Sequence, residues 1–94
     1  MDDKTYNGWT NYATWRVNLE MFDGVIATEW FPPDEGRPAT SDVADYLRDY
    51  AHETIEEETS FGFARTYAQA FLSDVNWREI AEHMLDDVEW TQEA

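Results

Sequence analysis

Ser41 to Glu58 reads SDVADYLRDYAHETIEEE, and the spacing of its apolar residues decides the fold class. Wound as an α-helix at about 100° per residue, the stretch gathers Val43, Leu47, Tyr50, Ala51 and Thr54 on one face, with Tyr46 at the border. Asp42, Asp45, Asp49, Glu53 and Glu56 fall in a separate narrow stripe. The apolar face must bury itself against the rest of the chain, which leaves a row of carboxylates in water. Thr40 or Ser41 is suited to cap this helix, and Asp42 and Asp45 in the first turn suit its dipole. Glu56, Glu57 and Glu58 oppose the dipole at the far end, so fraying is expected there.

Helical periodicity continues on both sides of this stretch. Downstream, Thr59 or Ser60 can cap a helix in which Phe63, Ala64, Tyr67, Ala68, Phe71 and Leu72 share a face, although Gly62 weakens its start. In Asn76-Trp77-Arg78-Glu79 the Asn caps a last helix, with Glu at its third position as in a capping box. Trp77, Ile80, Ala81, Met84, Leu85 and Val88 form its apolar face. Opposite them lies a second acidic stripe of Glu79, Glu82, Asp86 and Glu89, extending to Glu93 if the helix runs that far. Upstream, Thr10 or Asn11 can cap a helix with Tyr12, Trp15, Leu19 and Phe22 on one side and Ala13, Val17 and Met21 on the other. Apolar on two sides, it reads as the central core helix, and Asp23-Gly24 stops it. The apolar run around Val25, VIATEW, reads as an extended segment, a short strand or more helix. Residues 31–39, with three prolines and a glycine, form a loop. The expectation is an all-α protein of four helices in a single domain, 1–94, with 1–8 as a loose lead-in.

Composition narrows the function classes. With 94 residues and five each of Trp, Tyr and Phe, the chain has the bulky side chains to build one core. Without cysteine there is no disulfide, thiolate metal site or thiol nucleophile. No apolar run approaches the ~18 residues of a membrane span, and the acidic N-terminus is unlike a signal peptide; a cytoplasmic protein is expected. The net charge is −15, from 21 acids against six bases. Such a charge opposes direct binding to DNA, RNA or an anionic membrane face. It favours a basic partner, or else a saline environment.

Asn7 to Trp15, NGWTNYATW, and Val75 to Ala81, VNWREIA, resemble the opening and closing motifs of a family of small uncharacterised proteins from phages, plasmids and other mobile elements. The resemblance implies a setting in which anti-defence proteins are common. It carries over no catalytic residue.

Each candidate chemistry has a plain structural counterpart. The two acidic stripes fit a groove built for phosphates, where Arg and Lys would pair with them; solvated helix faces or salt adaptation explain the same residues. His52 beside Glu53, and His83 one turn after Glu79, each make an acid–imidazole neighbour, but neither belongs to a metal motif, and exposed carboxylates lack the burial that tunes acid–base groups. No cofactor and no metal are expected, and no enzyme. Trp30, Phe31 and Trp90 sit at element ends and are candidate aromatic anchors for a partner, a second copy of the chain included. The expected function is therefore inhibition of a host nucleic-acid-binding complex, a CRISPR effector or a restriction enzyme, by nucleic-acid mimicry. The partner-binding residues would be Asp42, Asp45, Asp49, Glu53, Glu56, Glu79, Glu82, Asp86 and Glu89. The alternative is a structural or assembly module docking through Trp30 and Phe31, its acidity serving solubility or a saline host.

Overall fold

A computed structural model describes residues 6–60 and 62–90. Among them the fold is all-α, with four helices and no strand: α1 (Tyr12–Val17), α2 (Thr40–Glu58), α3 (Phe63–Leu72) and α4 (Trp77–Asp86). The most extensive packing is between α2 and α4. There Val43, Leu47 and Ala51 from α2 join Ile80, Ala81, Met84 and Leu85 from α4 in a shared buried core. Six of these seven side chains have no exposed surface beyond rounding, so the α2–α4 seam is the centre of the molecule.

That centre displaces α1 from the role its sequence suggested. Ala13, Thr14, Val17 and Phe22 are buried, whereas Tyr12 and Leu19 are exposed. The physical reason is a change of winding. Asn18–Phe22 continues α1 as a π-helical turn, which inserts extra chain per turn and rotates later residues around the axis. Phe22 thereby reaches the core, and the Tyr12–Leu19 side is left outside. Asn11 caps the helix, its Oδ1 accepting the Thr14 N–H at 2.9 Å. Gly24, at φ +86°, follows the end of the π turn where Asp23-Gly24 was expected to stop it.

Residues 25–39 hold no strand. Ala27–Glu29 and Pro33–Glu35 form single 3₁₀ turns, and Gly36 turns the chain at φ +84°. α2 starts directly from extended backbone at Ala39, without a side-chain cap from Thr40 or Ser41. Upstream, Tyr6 and Trp9 exchange backbone hydrogen bonds of 2.6 and 2.8 Å across Asn7-Gly8. Both turn residues have positive φ, as a type I′ hairpin turn requires. The expected lead-in therefore closes with a tight turn at residues 6–9; residues 1–5 lie outside the described residues.

α3 is the largest departure. Its start is Gly62, at φ +144°, and neither Thr59 nor Ser60 caps it. Its shared apolar face exists but points outward: only Leu72 is buried, while Phe63 is 75% and Tyr67 67% exposed. Arg65, seven residues before Leu72 and so on the same side of the helix, sets this orientation. Its Nη2 donates to the carbonyls of Glu56 and Thr59, both at 2.8 Å, and its Nε to Thr59 Oγ1 at 3.3 Å. The guanidinium satisfies carbonyls at the end of α2, where a positive charge also suits the dipole. It holds the aromatic side of α3 away from the core.

Candidate partner-binding surface

The buried side of α2 fixes where its other residues go. With Val43, Ala44, Leu47 and Ala51 turned inward, Asp42, Asp45, Asp49, Glu53 and Glu56 are all exposed on the opposite arc. Counting every acid from Asp42 to Glu58, the helix carries seven carboxylates against one arginine. That arginine, Arg48, lies at one edge and bridges Asp45 and Asp49 at 3.3 Å each. Exposed pairs of this kind are weak and salt-screened, so the arc stays strongly negative.

The other edge of the arc is aromatic. Tyr46 and Tyr50 are 48% and 41% exposed, so Tyr50 leaves the apolar face to which its spacing assigned it. Trp30 lies behind both, with ring centroids 5.5 and 5.3 Å away, and Phe31 and Phe22 support Tyr46 and Tyr50 respectively. Trp30 and Phe31 are thus half-buried supports for two tyrosines rather than projecting anchors. A shallow groove of about 250 Å³ runs between Tyr46, Asp49, Tyr50 and Glu53. Carboxylates beside the faces and edges of two rings suit a guanidinium or ammonium, which gains charge-assisted hydrogen bonds and a cation–π contact together.

The α4 row is arranged differently. Glu79 Oε1 accepts the Thr10 N–H at 2.9 Å. Glu82 pairs with Arg78 at 3.3 Å and Asp86 with Arg37 at 2.9 Å. The helix ends at Asp86, which leaves Glu89 beyond it, and Glu93 lies outside the described residues. The Glu82 and Asp86 pairs are as exposed as those of Arg48 and equally weak. The row differs from the α2 arc in that Glu79 and Glu82 are half-buried and Glu89 is off the helix. Trp90 is half-buried and donates its Nε1–H to the Leu85 carbonyl at 3.0 Å.

The two distinctive sequence words meet each other. Thr14, fully buried, donates its hydroxyl to Asn11 Oδ1 at 2.7 Å and accepts the Asn76 N–H at 2.8 Å. Asn11 Nδ2 donates to the Asp74 carbonyl at 2.8 Å, and Asn76 Nδ2 to Thr10 Oγ1 at 3.2 Å. Asn76 Oδ1 meanwhile caps α4 on the Glu79 N–H at 3.1 Å. Each asparagine caps one helix and grips the other segment, which makes the pair of motifs a polar clasp. Glu79 completes it by reaching Thr10 instead of returning to the Asn76 N–H as a full capping box would.

The histidines stay apart from each other. His52 is half-buried on α2, and His83 stacks on the Trp9 ring at 4.1 Å. Among the described residues no three His, Asp or Glu side chains converge as metal ligands, and no helix is long and apolar enough to cross a membrane. The tyrosine edge of α2 was visible in the sequence only as one border residue. Its supporting rings come from residues about 20 positions upstream, which helical period cannot reveal.

A protein-family model described as a family of unknown function (DUF7249) matches residues 2–94. No curated protein and no solved structure matches the chain.

Proposed function

Since the chain belongs to this family of unknown function, its role must be read from its own surface, and we propose that it is a non-enzymatic acidic inhibitor of mobile-element origin. Its target is a basic, nucleic-acid-binding defence complex in the host cytoplasm, of the CRISPR-effector or restriction-enzyme kind. The observation that supports this reading is the α2 arc: five exposed carboxylates on one rigid helix, edged by two supported tyrosines. The similarity of the two clasp motifs to those of phage and plasmid proteins supports the origin.

The dimensions suit partial mimicry. From Asp42 to Glu56 the helix rises roughly 21 Å at 1.5 Å per residue, which spaces its carboxylates at about 5 Å. One DNA strand presents a phosphate about every 3.4 Å of axis. The arc is sparser than DNA, and the Tyr46–Tyr50 edge offers compensating cation–π contacts to arginine. Because the five α2 carboxylates are all exposed on one helix, whereas Glu79 and Glu82 are half-buried and Glu89 lies beyond the end of α4, the contact centres on α2. Catalysis has no role in this mode of action.

The test is capture of partners from host lysate treated with nuclease, at low and then high salt, followed by competition with duplex DNA. The reading expects a basic partner that is lost at high salt and displaced by DNA. Capture that survives high salt and ignores DNA would contradict it and favour an assembly module.

A further inference from the structure

We infer that α3 is a self-association surface, on which a second copy of this chain docks through the aromatic stripe of Phe63, Tyr67 and Phe71. The surface differs from the α2 arc, and the inference does not depend on the proposed inhibition. Those three residues stand four apart, and Phe63 and Tyr67 rings contact each other at 4.5 Å between centroids. Their side of the helix is completed by Ala64, Thr66 and Ala70, all exposed. An amphipathic helix with its apolar side in water is the kind of feature that marks an interface.

Charge selects the occupant. From Thr59 to Ser73 the chain has no acid at all, in a protein with 21 of them, and Arg65 is turned to the opposite side of α3. A strongly basic partner would find no carboxylate on α3, and the nearest charges, Arg16 and Glu20, already neutralise each other at 2.6 Å. Two copies of a −15 chain repel wherever carboxylates face carboxylates, and the α3 stripe is a face on which they do not. The stripe is also self-complementary under a two-fold axis. Antiparallel α3 helices set Tyr67 against Tyr67 and Phe63 against Phe71 of the other copy, as an isologous contact requires. Beside Phe71 lies a groove of about 260 Å³, lined by Val17, Met21 and Leu72 together with the Arg16–Glu20 ion pair, which receives the incoming Phe63 ring. Buried aromatic rings in such pockets dominate interface energetics.

Area sets the strength. At 150–250 Å² per aromatic side chain, the stripe offers roughly 350 Å² of exposed ring surface. With the flanking alanines this approaches about half of the ~800 Å² per partner of a standard interface. The dimer is therefore reversible and concentration-dependent. Salt promotes it, because the Debye length falls from about 30 Å at 0.01 M to about 8 Å at 0.15 M and the mutual repulsion is screened.

Sedimentation equilibrium of the full chain across concentration, at low and moderate salt, tests the inference. The expected result is a mass that climbs from one chain toward two, more readily at the higher salt. Phe63→Glu with Tyr67→Glu should raise the dimer dissociation constant about thirtyfold or more, as loss of a hot spot does, while Tyr67→Ser gives a smaller rise in the same direction. Far-ultraviolet circular dichroism should be unchanged in both, since neither side chain is buried. A monomer at every concentration and salt would overturn the inference. So would a dimer that the double variant leaves intact, or one that salt dissociates. Partner capture on α2 weakens with salt whereas this association strengthens, so the two readings fail separately.

Discussion

At the scale of single residues, Thr14 holds more of the structure than its size suggests. Its hydroxyl is both donor and acceptor between Asn11 and Asn76, and it has no exposed surface. Thr14→Val keeps the shape and leaves the Asn76 N–H without its partner, which costs about 1–3 kcal/mol for a buried orphan group. Urea denaturation should show that loss, with Thr14→Ser retaining most of the stability. The clasp explains why the two sequence words looked distinctive without pointing to chemistry. A motif of small polar residues that cap helices reads the same whether it serves a ligand or a neighbouring segment, and only the partners across 62 positions decide. Glu79 shows the same limit. Its spacing placed it in an acidic stripe, and the Thr10 N–H that takes its carboxylate comes from the other end of the chain.

At the scale of elements, α2 and α4 were legible because their apolar residues face the core they were spaced for. Periodicity reveals that a helix has two faces, and burial pressure tells which one turns inward. α3 breaks that inference because Arg65 finds the carbonyls at the end of α2. Those carbonyls are backbone groups, invisible in any pattern of side chains. Arg65→Ala should therefore loosen α3 selectively. Hydrogen exchange is expected to accelerate from Phe63 to Leu72 while the α2–α4 seam keeps its protection. Arg65→Lys should rescue little, since a single ammonium does not span the two carbonyls and the Thr59 hydroxyl as the planar fork does. Uniform acceleration across all helices would show instead that α3 is part of the central cooperative unit. In α1 the apolar residues were read on a 3.6 period that the π turn abandons after Val17, and the sequence around Asn18 gives no sign of that change.

At the scale of the whole molecule, charge is the dominant property, and composition alone makes it visible. A net −15 on one small domain opposes its own compactness, so added salt should raise the midpoint of thermal unfolding. Measured at concentrations dilute enough to exclude association, a midpoint indifferent to salt would contradict that expectation. Where the charge is concentrated could be read only in part. The α2 row and the Arg78–Glu82 pair follow from helical geometry, whereas the contacts of Asp86 with Arg37 and of Glu79 with Thr10 required the folded chain. The central claim is that the α2 arc is the binding surface, and it is tested most directly by the salt dependence of affinity for the captured partner. Wild type should show log affinity falling steeply with log salt. Asp42→Asn with Glu53→Gln and Glu56→Gln should flatten that slope and weaken binding, while Glu82→Gln with Asp86→Asn changes it little. An α2 variant that binds with the wild-type slope and affinity would contradict the account.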